Sequence, residues 1–243
     1  MTEDFSTYQI DPNFPPDKAG EWKTPPKEDT WVLSHHSLRG ELKEIEKALV
    51  HVVSDPIAWK IAALESMWKY HRGHVLAHHK AEEEIMQPVL STRFRYPEKA
   101  SDGHKDLEKN VEELQKLLEG DGGKESIESF QTMFQQYAIA LRQHLQDEED
   151  TALPLLRAFF TQKEFKTTGK RMGAEGGHAG SFVYYIGEER FRNEFMSKWG
   201  MPFFLWYIVF APAMKEYRLQ VIVPGECIAA NVPPKEESTC KTS

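Results

Sequence analysis

Along four stretches of the chain apolar residues recur at steps of three and four, the spacing that puts them on one face of an α-helix. The first stretch starts near Asp29 or Thr30, either of which can cap it. His35, Leu38, Leu42, Ile45 and Leu49 share its face. Ser54, Asp55 and Pro56 then mark a stop and a new start, with proline at the first helical position. The second helix is predicted to run from there to about Val89. The third starts near Ser101 and Asp102, and His104, Leu107, Val111, Leu114 and Leu118 repeat the spacing of the first. The run from Gly120 to Gly123 reads as a turn, and the fourth helix is expected from about Ser126 to Phe160.

The pattern also repeats internally. HHSLRGEL at 35–42 is similar to HKDLEKNV at 104–111, an offset of 69 residues. HHKAEEEIMQP at 78–88 is similar to HLQDEEDTALP at 144–154, where His, Glu, Glu and Pro all recur at an offset of 66. Two helical hairpins on one plan predict an all-α fold, an up-down-up-down four-helix bundle with an internal pseudo-twofold repeat. A solenoid would need more copies.

The flanks read differently. Residues 1–28 hold five prolines and many polar groups and are expected to form an extended polar arm. Residues 29–162 make the bundle. Residues 163–223 form a helical C-terminal extension packing on it, with 169–180 as a Gly-rich linker, 182–200 as an amphipathic helix and 201–214 as a short apolar helix. From about 224 to 243 a flexible tail is expected.

Composition narrows the function classes. The chain of 243 residues carries a net charge of -8, which argues against nucleic acid or an anionic membrane as main partner and suits cations. Its two cysteines, Cys227 and Cys240, exclude a disulfide framework and a Cys-rich zinc site, and point to a reducing, cytoplasmic compartment. The N-terminus lacks the features of a secretory leader. The apolar run 201–214 contains Pro202 and Pro212 and is shorter than the roughly 20 residues a transmembrane helix needs, so no span is expected. Cys240 occupies the position of a prenylation box, but its neighbours are neither aliphatic nor basic, and no lipid is expected there.

Four histidines and two glutamates carry the candidate chemistry. Residues four apart on a helix lie on one face, so His78 with Glu82, and His144 with Glu148, can each aim an imidazole and a carboxylate at one point. His35 and His104 sit on the apolar stripes of their own helices. His35 lies about 19 residues before the first turn and His78 about 23 after it; His104 lies about 18 before the Gly-rich turn and His144 about 22 after it. In an up-down bundle all four reach the same level. Four neutral imidazoles and two carboxylates suit a two-metal site, and two core carboxylates need cations nearby. His74 is expected beside the site or partly exposed, His36 and His79 on helix flanks, and His51, His71 and His178 on the surface or in loops. Glu83 and Glu149, also repeated at offset 66, either back the ligands or face solvent. Trp31, Trp68 and Phe134 are expected to pack the core, and the aromatic run Phe203, Phe204, Trp206, Tyr207 and Phe210 to pack on the bundle.

His35, His78-x-x-x-Glu82, His104 and His144-x-x-x-Glu148, each pair followed by a proline, resemble the hemerythrin-like, HHE cation-binding family over about residues 30–160. The resemblance implies a non-haem di-iron centre with a solvent-derived bridge. The four histidines would be terminal ligands, two per iron, and Glu82 and Glu148 would bridge. Zinc or manganese are the alternative ions. Oxygen-carrying hemerythrins place a His-x-x-x-His pair on the third helix and an Asp on the fourth; here the third offers only His104 and the fourth Glu148. That pattern looks more like the variant in an iron-sensing F-box ubiquitin-ligase subunit, although this chain has no F-box-like segment. The expected function is metal-ion binding that senses, stores or buffers iron or oxygen, with O₂ as a further ligand and the protein partner left open. The alternatives are a di-iron enzyme acting on O₂, peroxide or NO, and a metal-free helical interaction module.

Overall fold

The computed structural model describes residues 4–101, 103–120, 123–175 and 178–234. Among these residues the structure is all-helical and has no strand; one isolated bridge joins Gln9 to Phe94. The long elements are α1 (Thr30–Ser54), α2 (Ala58–Ala81), α5 (Gly103–Leu118) and α6 (Lys124–Phe159). A π-turn, Glu82–Met86, joins α2 to α3 (Gln87–Leu90), and α4 (Glu98–Ser101) precedes α5. After α6 come α7 (Gln162–Glu175), α8 (Ala179–Ile186), α9 (Glu188–Arg190), α10 (Met196–Lys198), α11 (Ala211–Tyr217) and α12 (Val223–Ala230). Further π-turns, Phe191–Phe195, Trp206–Phe210 and Arg218–Ile222, link the last of these.

Several boundaries differ from the sequence expectation for local reasons. The second helix begins at Ala58, two residues past Pro56: Asp55 turns the chain first, accepting from the Ile57 amide at 3.0 Å. The π-turn accommodates Pro88, which has no N–H and whose ring would crowd the carbonyl of Glu84; the Gln87 amide bonds back to Glu82. The predicted Gly-rich linker is helical as far as Glu175, because Gly169 and Gly173 are tolerated inside α7. The predicted helix over 182–200 breaks at Gly187, whose φ of 92° only glycine adopts freely. The expected tail from 224 is helical through Ala230 and stops at Asn231 in the left-handed conformation, φ 54°. Cys240, Asp102 and the centre of the predicted Gly-rich turn lie outside the described residues.

The chain forms two compact units, each assembled from three stretches. One lies within residues 1–35, 75–109 and 139–177; the other within 36–74, 110–138 and 178–243.

The core of the first unit is built from Trp31, Met86, Leu90, Phe94, Leu156, Phe159 and Phe165. The proline-rich arm is ordered on it. Trp22 packs there and donates its indole N–H to the Phe160 carbonyl at 2.6 Å, while Ile10 and Lys18 donate backbone N–H groups to Arg93 and Ala158. In the second unit Leu38, Leu42 and Ile45 of α1 are fully buried, as are Leu64 and Trp68 of α2, Val111 and Leu114 of α5, and Phe130, Phe134 and Tyr137 of α6. Trp68 meets Phe130, Phe134 and Tyr137 edge-on, the favoured geometry for aromatic rings. The C-terminal aromatic run splits: Trp206 is buried, but Phe203, Phe204 and Tyr207 are exposed rather than packed. Among the described residues no helix is long and apolar enough to cross a membrane.

Candidate metal centre

All six sequence-predicted site residues meet in the first unit, and all six are buried. α1 supplies His35, α2 His78, the π-turn Glu82, α5 His104, and α6 both His144 and Glu148. The carboxylates are central. Glu82 turns Oε1 toward His78 Nε2 at 3.0 Å and His35 Nε2 at 3.8 Å, and Oε2 toward His104 Nε2 at 3.4 Å. Glu148 turns Oε2 toward His35 Nε2 at 3.4 Å, and Oε1 toward His144 Nε2 at 3.5 Å and His104 Nε2 at 3.7 Å. Each carboxylate therefore gives one oxygen to each of two pockets.

The structure adds a seventh residue. His79, expected on a helix flank, is fully buried, and neither of its ring nitrogens has a hydrogen-bond partner. Its ring stacks on His104 with centroids 4.2 Å apart and meets His144 edge-on at 5.4 Å. Among the described residues, three groups have ligand atoms within 4.8 Å of one another: His35, His78, Glu82 and Glu148; Glu82, His104, His144 and Glu148; and His79, His104 and His144. Adjacent histidines of α2 thus serve different groups. The sequence signal was available. Val75, His79, Glu82 and Met86 follow steps of four, three and four, and all four are fully buried.

Outer contacts fix which ring nitrogen faces inward. Nδ1 of His35 donates to Glu149 Oε1 at 2.9 Å, and Nδ1 of His104 donates to Glu83 Oε1 at 2.9 Å. Each leaves Nε2 pointing at the carboxylates, the arrangement that metal-binding histidines use to set tautomer and raise basicity. Nδ1 of His78 pairs with Ser34 Oγ at 3.2 Å. Trp31, expected chiefly to pack the core, donates its indole N–H to Glu82 Oε1 at 2.6 Å.

Electrostatics show how much positive charge the pocket calls for. Burial alone would lower His35, but Glu149, Glu82 and Glu148 outweigh it and raise the imidazole to about 9. His104 is lowered by burial and raised further by Glu148, Glu82 and Glu83, to about 11. Burial raises Glu82, and His78, His104 and His35 bring it well below the usual carboxylate range. Glu148 goes the other way, to about 8, through burial and the charge of Glu82. Burial and the His104 charge push His144 down to about 4 and His79 well below its usual value. Protons on His35, His104 and Glu148 therefore balance the buried charge, a place metal ions would take. The Nε2 atoms of His35, His104 and His144, both nitrogens of His79 and both oxygens of Glu148 are buried without a hydrogen-bond partner. Orphaned donors and acceptors are rare in a core, and several around one point fit a metal.

A helical core that gathers imidazoles and carboxylates around two adjoining pockets defines a class, the proteins that hold cations through histidine and carboxylate ligands. The chain belongs to the hemerythrin family: residues 27–156 match the family model for the hemerythrin HHE cation-binding domain, more than half its length. No curated protein and no solved structure matches the chain.

Proposed function

We propose that this chain binds two iron ions and serves to sense, store or buffer iron or oxygen. The supporting observation is the way Glu82 and Glu148 divide their oxygens, each offering one to the His35 and His78 side and one to the His104 and His144 side. On this reading His35 and His78 hold one ion, His79, His104 and His144 hold the other, and the two carboxylates hold both. Bound iron would supply a one-electron redox change and an exchangeable position for a small ligand such as O₂.

The chain's own groups orient and neutralise. Glu149 and Glu83 fix the rings of His35 and His104, and Trp31 fixes Glu82. The crosswise pairing matches the sequence repeat: α6 backs a ligand of α1, and the π-turn backs a ligand of α5. This supports the reading of an up-down-up-down four-helix bundle with a pseudo-twofold repeat. Iron over zinc or manganese rests on family membership, since imidazole and carboxylate accept several first-row metals. The free thiol of Cys227 fits a reducing compartment such as the cytoplasm.

Elemental analysis of protein expressed with iron, with a visible spectrum in air, tests the reading. Two irons per chain and a near-ultraviolet charge-transfer band are expected. Metal-free protein, or a single zinc, would overturn it, and sustained turnover of peroxide or an NO donor would replace binding by catalysis.

A further inference from the structure

The second unit buries another set of polar groups that the metal reading does not use. Glu41 of α1, His71 and His74 of α2 and Tyr137 of α6 are all buried, three of them at 0% exposure and His74 at 5%. His71, expected at the surface, donates Nδ1–H to Glu41 Oε2 at 2.9 Å. His74 donates Nδ1–H to the other oxygen, Oε1, at 2.8 Å. With the proton on Nδ1, the imidazole of His71 presents a lone pair at Nε2. The Tyr137 hydroxyl lies 2.9 Å from it and donates to it. A buried phenol is thus hydrogen-bonded to an imidazole that is itself backed by a carboxylate.

We propose that Tyr137, His71 and Glu41 form a one-electron redox site, in which Tyr137 is oxidised to a neutral radical as its proton passes to His71. An outer-sphere one-electron acceptor takes the electron and is reduced by one. The phenolic O–H bond breaks, the N–H bond at His71 Nε2 forms, and no other atom changes place. Losing an electron turns a phenol into a strong acid, so oxidation is accessible only where the proton has an acceptor, and here the acceptor is already in contact. The imidazolium that results faces Glu41 Oε2, which offsets its charge in a low-dielectric interior. Burial, with the Glu41 charge, holds the Tyr137 phenol well above its ordinary range, so the resting group is protonated.

The surroundings suit such a site. Trp68 packs on both Tyr137, at 5.8 Å between centroids, and His71, at 5.9 Å, giving an electron a second aromatic ring to cross. Phe134 covers another side at 6.0 Å. Tyr137 is sealed from water, which protects a radical from quenching.

Flash oxidation of the full chain by a photogenerated ruthenium(III) polypyridyl complex tests this, read by transient absorption and electron paramagnetic resonance. Surface tyrosines such as Tyr207 give short-lived radicals. A long-lived tyrosyl component is expected in the wild type and should be lost in Tyr137→Phe, which removes one oxygen and keeps the ring. In His71→Gln the long-lived yield should fall at least tenfold, and in wild type deuterium oxide should slow its formation. A long-lived signal unchanged in Tyr137→Phe would overturn the site, and one unchanged in a folded His71→Gln would overturn the proton transfer. Should His71→Gln fail to fold, Tyr137→Phe decides alone.

Discussion

Glu149 accepts the Nδ1–H of His35 at 2.9 Å, and Glu83 accepts that of His104 at the same 2.9 Å. Each glutamate follows directly after a residue of the candidate metal centre, Glu148 or Glu82, so adjacent carboxylates have divided tasks. One faces the pockets; the next orients a histidine donated by another helix. Such outer partners are worth roughly 10–100-fold in metal affinity. Glu149→Ala and Glu83→Ala should therefore each weaken iron binding by about that factor while leaving the fold intact. Competition against a chromophoric chelator, with circular dichroism as the fold control, measures it. Unchanged affinity in both variants would remove the orienting role.

His79→Ala separates the seven-ligand site from the six-ligand one. Its ring lies on His104 and His144, with both nitrogens unpartnered. Loss of the more weakly held of two irons, or a fall in its affinity, is expected by elemental analysis. His36, which is exposed, provides the control, and His36→Ala should keep the full load. Full load in His79→Ala would return the site to six ligands.

Metal uptake should release protons. His35, raised to about 9, His104, raised to about 11, and Glu148, raised to about 8, all hold protons at neutral pH. A metal needs each of them deprotonated. Uptake at pH 7 should release more than one proton per chain, and affinity should increase with pH until these groups have titrated. Calorimetry in buffers of different ionisation enthalpy counts the protons. A count near zero would mean that these residues do not ligate.

Acid stability should depend on Glu41. Burial would raise this carboxyl, but His74 and His71 outweigh it and hold it down at about 2, against an ordinary value of 4.5. A folded-state value below the unfolded one adds stability that is complete above about 4.5 and lost as pH falls toward about 2. Thermal melts should show wild type losing stability over that window and Glu41→Gln losing less. At neutral pH Glu41→Gln should be weaker by about 1–3 kcal/mol, because it takes the charged acceptor from two buried imidazole N–H groups. Parallel pH profiles for the two proteins would contradict this.

The helices were legible because apolar periodicity is a one-dimensional record of burial. His35, His104 and the two His-x-x-x-Glu pairs were legible because the periodicity and the repeat place them on inward faces at one level. His79 was not, since a regular helix turns adjacent residues about 100° apart and one ligand appeared to exclude its neighbour. Two adjoining pockets remove that exclusion, and the number of pockets is a property of the packed core. His71 was hidden in the same way: Leu64, Trp68, His71 and Val75 step by four, three and four and are all buried, yet a lone histidine on such a stripe names no partner. The break at Gly187 was missed because nothing in the pattern marks a positive φ.

By itself, then, the sequence determined the all-helical class, the inward faces of α1, α2, α5 and α6, and the six residues that converge in the first unit. Burial free energy acts through spacing along the chain, and spacing can be read without coordinates. Only the tertiary structure decided which carboxylate oxygen meets which imidazole, that Glu149 and Glu83 accept from histidines on other helices, and that Tyr137 finds His71. These are contacts of a few ångströms between residues far apart in sequence, fixed by how side chains interlock rather than by any local propensity.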